Sequence, residues 1–104
     1  MQNKRYKIRV LPLFVEELRE ILDYIAFRLY NPQAADDLEL AVYHAIKDRS
    51  TCAEAFEPYP SKFERRYVFY RIYVKNYVVY YAVIDDVMEV QSIVYNKRNP
   101  SSLL

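Results

Sequence analysis

The segment YVFYRIYVKNYVVYYAVIDDVMEVQSIVY, residues 67–95, carries the strongest structural signal in this 104-residue chain. It holds three runs rich in β-branched and aromatic residues, and each run is separated from the next by two polar residues. The runs are 67–74, 77–84 and 87–95, and the separating pairs are Lys75-Asn76 and Asp85-Asp86. Polar pairs of this kind suit two-residue hairpin turns, so the segment predicts a three-stranded antiparallel meander.

The register of that meander follows from its turns, because cross-strand partners share a face. One face is nearly all apolar, and we expect it to pack on helices; its members are Val68, Tyr70, Ile72, Val74, Tyr77, Val79, Tyr81, Val83, Met88, Val90 and Val94. The other face of the sheet has a central row of cross-strand neighbours, in which Arg71 pairs with Tyr80 and Tyr80 pairs with Gln91. The remaining members of this face are Tyr67, Phe69, Tyr73, Val78, Ala82, Glu89 and Tyr95. We refer to the sheet face that carries Phe69, Arg71, Tyr73 and Tyr80 as the open face. Aromatic residues around a central arginine make it the best candidate binding surface.

Outward from the meander, the N-terminal half predicts one strand and two helices. Residues 6–11 alternate apolar and basic side chains, which indicates a strand with one solvated face that ends at Pro12. Apolar residues recur at three- and four-residue steps over 13–30, which predicts an amphipathic helix. Asn31-Pro32 ends that helix and starts the next, with the asparagine as N-cap and the proline in the first helical position. The second helix ends near Ser50, so the two helices form an antiparallel hairpin.

The predicted order is therefore β-α-α-β-β-β, an α+β fold with both helices packed on one face of the sheet. At this length, residues 1–104 are predicted to form a single domain. Residues 51–65 are predicted as a loop, because they carry two prolines and show no helical or strand periodicity of apolar residues. The chain has no glycine, so positions that need positive φ fall to Asn and Asp. The candidates are Asn31, Asn76, Asp85, Asp86, Asn96 and Asn99.

Composition excludes several classes of function. The absence of glycine excludes the glycine-rich phosphate cradles of nucleotide-binding folds. Cys52 is the single cysteine, which excludes an intrachain disulfide and suits a reducing compartment. No apolar run approaches a membrane span or a signal-peptide core, so we expect a cytoplasmic protein with no membrane partner. Neither Cys52 nor the sole histidine, His44, has neighbours that suggest a metal site or a nucleophile, and we expect no metal and no cofactor.

Charge is segregated along the chain although the net charge is only +1. Residues 1–15 carry four bases and no acid, residues 16–57 carry ten acids and four bases, and residues 58–104 carry seven bases and four acids. The seven bases of residues 58–104 are interleaved with aromatic residues in the sequence. These bases are Lys62, Arg65, Arg66, Arg71, Lys75, Lys97 and Arg98. Such a pattern suits nucleic-acid phosphates with stacked bases, and it equally suits an acidic protein partner.

Two segments, DYIAFRLYNPQAADDL (23–38) and RIYVKNYVVYYAVIDDVMEVQSIVYNKRNP (71–100), resemble toxins of the RelE/ParE superfamily from bacterial type II toxin–antitoxin systems. The similarity covers essentially the whole chain, and the order, spacing and length of the elements carry it. The resemblance implies a bacterial toxin of the kind associated with plasmid stabilization. It also implies a cognate antitoxin as partner, and as assembly either a homodimer or a toxin–antitoxin hetero-oligomer.

The superfamily divides into two activities. RelE-like toxins cut mRNA on the ribosome, whereas ParE-like toxins poison DNA gyrase without comparable catalytic residues. In this sequence the position of a phosphate-clamping arginine falls on Val78, another basic position falls on Phe69, and a C-terminal histidine position falls on Asn96. The resemblance therefore favours a ParE-like gyrase inhibitor that is not an enzyme. The alternatives are an mRNA endoribonuclease that works with the ribosome, and an inactive member that only binds its antitoxin.

The resemblance and the composition of the open face together suggest site residues. If the chain were a ribonuclease, its catalytic residues would be Arg71, Tyr95 and Arg98. For binding of the target or the antitoxin, the expected residues are Arg65, Arg71, Tyr73, Tyr80, Gln91, Tyr95, Lys97 and Arg98.

Overall fold

The computed structural model describes residues 5–58 and 67–96, which fold into two helices and a four-stranded sheet. The elements in chain order are β1 (Lys7–Val10), α1 (Pro12–Asp23), a π-helical turn (Tyr24–Arg28), α2 (Pro32–Arg49), β2 (Val68–Val74), β3 (Tyr77–Ile84) and β4 (Val87–Tyr95). The predicted α+β class and β-α-α-β-β-β order are confirmed. Residues 51–58 are irregular as predicted, and the rest of the predicted loop lies outside the described residues.

The sheet has the strand order β1-β4-β3-β2. The pairs β2–β3 and β3–β4 are antiparallel, which confirms the predicted meander, whereas β1 pairs with β4 in parallel. A parallel pair needs a long crossover connection, and here the helix hairpin together with β2 and β3 supplies it. Strands β1 and β2 therefore lie at the two edges of the sheet.

The core lies between the apolar sheet face and the two helices. Tyr81, Val79 and Met88 from the sheet are fully buried, and Phe14 of α1 and Val42 of α2 meet them from the other side. Burial of one such side chain contributes roughly 1.5–3 kcal/mol. Neither described helix is long and apolar enough to cross a lipid bilayer.

The junction between the helices follows the Asn31-Pro32 pair. The Asn31 side chain accepts a hydrogen bond from the Ala34 N–H at 3.1 Å, which confirms the predicted N-cap. Before it, the helix widens into the π-helical turn, where the Leu29 N–H donates to the Tyr24 carbonyl at 3.0 Å. The predicted helix over 13–30 is thus an α-helix followed by a π-helical turn, and Pro12 occupies its first turn.

Left-handed backbone falls on Tyr30, Lys75 and Asp85, with φ of 54°, 53° and 56°. The prediction of positive φ is confirmed for Asp85 and is wrong for Asn31, Asn76, Asp86 and Asn96. Asn99 lies outside the described residues. The favoured two-residue hairpin turns place positive φ at their first central residue, which is Lys75 or Asp85 here. Asn31 precedes a proline, a position that favours extended backbone, so Tyr30 makes the reversal instead.

Strand β4 contains a β-bulge that the alternation of its sequence does not predict. Tyr81 pairs with Val90 and Tyr80 pairs with Ser92, so Gln91 is an extra residue and not the partner of Tyr80. An extra residue reverses the alternation of faces beyond it. The predicted placement of Val94 on the apolar face is therefore wrong, and so is that of Tyr95 on the open face. Ile93 enters the core at 1% exposure, and Tyr95 pairs with Tyr77 on the helix side.

Glu17 of α1 binds the backbone of this irregular stretch. Its Oε1 atom accepts hydrogen bonds from the Ile93 N–H at 3.0 Å and from the Ser92 hydroxyl at 2.8 Å. Hydrogen bonds to a charged group are among the stronger ones in proteins. A single helix carboxylate therefore fixes both the position of α1 on the sheet and the site of the bulge.

We expect Glu17→Ala to lower the free energy of unfolding by about 1–3 kcal/mol, because the half-buried donors of β4 lose their acceptor. The control is Glu20→Ala, an exposed glutamate on the same helix, which should change stability by about 0.5 kcal/mol or less. Urea unfolding followed by circular dichroism measures both. Equal stabilities for the two variants would show that the carboxylate does not anchor the bulge.

Candidate open-face binding site

The open face presents Arg71 at the centre of an aromatic row. Arg71 lies opposite Tyr80, as predicted, and Tyr73 lies opposite Val78. The Arg71 guanidinium carbon is 5.9 Å from the centroid of the Tyr73 ring, within the range of a weak cation–π contact. Tyr73 is 60% exposed, whereas Arg71 and Tyr80 are half-buried. A ligand on this face would therefore meet both a cation and aromatic surface.

A series of polar side-chain contacts connects the open face to edge strand β1. The Nε and Nη2 atoms of Arg9 each lie 2.9 Å from Oε2 of Glu89, and Gln91 donates to the other carboxylate oxygen at 3.1 Å. Gln91 thus stays on the open face although it is the bulge residue. Arg9 was not predicted for this site, because the parallel β1–β4 pairing brings together residues 80 positions apart.

Arg49 of α2 supports the sheet beneath Arg71. Its Nη1 atom donates to the Arg71 carbonyl at 3.2 Å and to the Tyr81 hydroxyl at 2.9 Å, and its guanidinium carbon lies 3.6 Å from the centroid of the Phe56 ring. The Tyr81 hydroxyl in turn donates to the Ala53 carbonyl at 2.7 Å. The backbone that carries Arg71 is therefore held from the helix side. The sequence offers no pattern that marks Arg49 for this role, because its partners are distant in the chain.

A group of buried tyrosines surrounds this support. Tyr70 stacks on Tyr81 with ring centroids 5.2 Å apart, and the Tyr6 hydroxyl donates to the Glu54 carboxylate. That hydrogen bond, helped by burial, raises the pKa of Tyr6 to about 12. Burial raises the pKa of Tyr81, although its hydrogen bond from Arg49 opposes the rise. These phenols therefore stay neutral at physiological pH and contribute packing and hydrogen bonds.

The structure brings together only part of the predicted site. Arg71, Tyr73, Tyr80 and Gln91 share the open face, whereas Tyr95 lies on the helix side with its ring centroid 5.8 Å from that of Tyr77. The other predicted residues lie outside the described residues; they are Arg65, Lys97 and Arg98.

The remaining candidate positions add no charged group to the described part of the open face. Val78 is only 4% exposed, and Phe69 is half-buried opposite Ala82. His44 is an exposed residue of α2 beside the Tyr43 ring, and Cys52 has a free, half-buried thiol. Within residues 5–58 and 67–96, no three His, Cys, Asp or Glu side chains lie close enough to hold a metal ion. The described part of the open face is thus suited to binding through charge and aromatic contact.

Comparison with known proteins gives one family match and similar folds. The sequence model of the ParE toxin of the type II toxin–antitoxin system parDE matches residues 8–100. The fold is similar to a structure of the chromosomal ParDE toxin–antitoxin system from P. aeruginosa, with a TM-score of 0.71 and 13% identity over 88% of this chain and 97% of that one.

A second similar structure is the archaeal RelE–RelB complex from Pyrococcus horikoshii OT3. Its TM-score is 0.54, with 18% identity over 91% of this chain and 99% of that one. At these identities the two structures show a shared fold alone. A comparison with curated protein sequences gives no match.

The raised pKa of Tyr6 predicts a loss of stability in alkali. The pKa rises from 10.0 to about 12 on folding, so the stabilisation is complete below pH 10 and is lost between pH 10 and about 12. We expect the free energy of unfolding to fall across this window, and to fall less in Tyr6→Phe. Urea unfolding at a series of pH values measures the slope. The exposed Tyr73→Phe variant should keep the native slope, and an unchanged slope in Tyr6→Phe would refute the assignment.

Proposed function

The chain belongs to the ParE toxin family of type II toxin–antitoxin systems, and from this membership we propose that it inhibits growth by binding DNA gyrase and is neutralised by a cognate antitoxin. The observation that carries the choice of target is the composition of the open face. Arg71 stands there among tyrosines, while Val78 and Phe69 occupy the positions at which an mRNA-cleaving relative would place cations.

Cleavage of RNA demands more of a surface than binding does. The reaction needs cations on the phosphate as its charge develops, and side chains that move protons. Val78 is apolar and buried, and the loss of one charge-stabilising group typically costs about a hundredfold or more in rate. Tyr95, the proton-carrying residue of the ribonuclease alternative, lies on the opposite side of the sheet from Arg71. Binding to gyrase needs only a surface of suitable shape and charge.

A separate groove on the other side of the molecule suits the antitoxin. It has a volume of about 290 Å³ and lies between β1 and the two helices, with Val10, Phe14 and Val42 among its apolar lining residues. Edge strand β1 borders it, and within residues 5–58 and 67–96 its neighbour strand is β4. An amphipathic helix in the groove and an added strand along β1 are both established modes of peptide recognition. The two similar structures come from toxin–antitoxin assemblies, which supports an antitoxin as the occupant.

The choice between gyrase and mRNA can be tested with one protein preparation in two assays. We expect the purified chain to inhibit supercoiling of a relaxed plasmid by gyrase, and to leave mRNA intact on translating ribosomes. Preincubation with the product of a neighbouring reading frame, tested as the candidate antitoxin, should abolish the inhibition.

Three results would contradict this account. Cuts in ribosome-bound mRNA with unaffected supercoiling would establish the ribonuclease alternative and make Arg71, Tyr95 and Arg98 the first candidates for its catalytic residues. Activity in neither assay, with tight binding of the antitoxin, would leave an inactive family member. Inhibition that persists with the neighbouring product bound would refute neutralisation by that partner.

A further inference from the structure

A second cavity lies away from both the open face and the antitoxin groove. It occupies about 660 Å³ between α1, the π-helical turn, the start of β3 and the end of β4. We refer to it as the tyrosine cavity; its lining includes Glu17, Glu20, Tyr24, Leu29, Tyr77 and Tyr95. Its volume lies within the usual range for ligand pockets, which is roughly 300–1,000 Å³.

Three tyrosine rings form the aromatic part of the wall. Tyr77 and Tyr95 meet edge to face, with ring centroids 5.8 Å apart and planes at 72°. Burial raises the pKa of Tyr77, and the nearby phenols of Tyr95 and Tyr24 raise it further. Tyr24 and Tyr95 are exposed, so a ligand can reach their rings. The faces of such rings attract cations.

Among the residues that the structure describes, the charged groups of the cavity wall are all negative. Glu17 and Glu20 contribute two carboxylates, and no Lys, Arg or His belongs to the described lining. Glu17 is fixed in place because one of its oxygens binds β4, and Glu20 makes no ion pair within the described part of the chain. Carboxylates beside aromatic faces favour a positively charged ligand over a neutral or an anionic one.

We propose that the tyrosine cavity binds the cationic side chain of an arginine or lysine presented by a protein partner. The apolar surroundings favour a protein as the source of this cation. Leu29 lines the cavity and is 54% exposed, and Phe27 and Tyr30 of the same helix-hairpin tip are 70% and 86% exposed. A peptide can cover these residues with an apolar side chain next to its basic one, whereas a small free cation leaves them in water. This inference does not depend on which target the open face binds.

The experiment uses the full-length purified chain and NMR titration with the peptide acetyl-Ala-Arg-Leu-Ala-amide. We expect the resonances of Tyr24, Tyr77 and Tyr95 to shift, and the shifts to weaken with added salt. The analogue with citrulline, which is neutral and has nearly the same shape, should bind several-fold more weakly. Glu20→Gln should weaken binding of the arginine peptide by roughly twofold to fivefold. The matched control Glu16→Gln, on the same helix but outside the cavity, should bind as the native chain does.

Four outcomes would overturn the proposal. One is the absence of shifts at millimolar peptide, and another is equal binding of the citrulline analogue, which would show an apolar site with no preference for charge. Tetramethylammonium binding as tightly as the peptide would assign the cavity to small organic cations. Shifts that grow with protein concentration alone would assign it to a second copy of the chain. Because Glu20 is exposed, its glutamine variant should keep the native spectrum elsewhere, which separates lost binding from lost folding.

Discussion

The bond between the Glu17 carboxylate and the backbone of β4 determines how side chains are divided between the two faces of the sheet. The extra residue at Gln91 reverses the alternation, and Glu17 holds the strand where the reversal occurs. Ile93 consequently fills the core, and Tyr95 joins the helix side. The same carboxylate borders the tyrosine cavity. One interaction therefore shapes the open face, by removing Tyr95 from it, and the cavity, by placing Glu17 and Tyr95 in its lining.

The sequence correctly predicts the elements that are specified by residues adjacent in the chain. Two polar residues between runs of β-branched and aromatic residues specify each hairpin, and Asn31 before Pro32 specifies a helix start; the structure shows both. The bulge has a weak local signal, because Gln91 and Ser92 are adjacent polar residues in a strand whose neighbours Val90 and Ile93 are buried. A single break in alternation is equally compatible with a regular strand that has one polar core position, so the pattern alone does not decide.

The elements that sequence does not predict depend on contacts between distant segments. The parallel pairing of β1 with β4 links residues about 80 positions apart, and no local turn specifies it. Arg49 is a similar case. It donates hydrogen bonds to the Arg71 carbonyl and the Tyr81 hydroxyl, and these groups come within its reach only after the helix packs on the sheet. The left-handed residues show the same limit on a smaller scale, because Tyr30 and Lys75 adopt positive φ through their positions in a turn and not through their residue type.

The molecule thus presents three surfaces of different chemistry: a cationic and aromatic open face, an apolar groove beside β1, and an acidic tyrosine cavity. Our central proposal is that the open face carries the toxic activity through Arg71. The most direct measurement is gyrase inhibition by Arg71→Ala beside Arg19→Ala, an exposed arginine of α1, with the unfolding free energy of each determined in parallel. Arg49 binds the carbonyl and not the side chain of residue 71, so the fold should survive the change. The account predicts at least about a tenfold loss for Arg71→Ala, as for a residue central to an interface, and native activity for Arg19→Ala. A folded Arg71→Ala variant with native inhibition would contradict it.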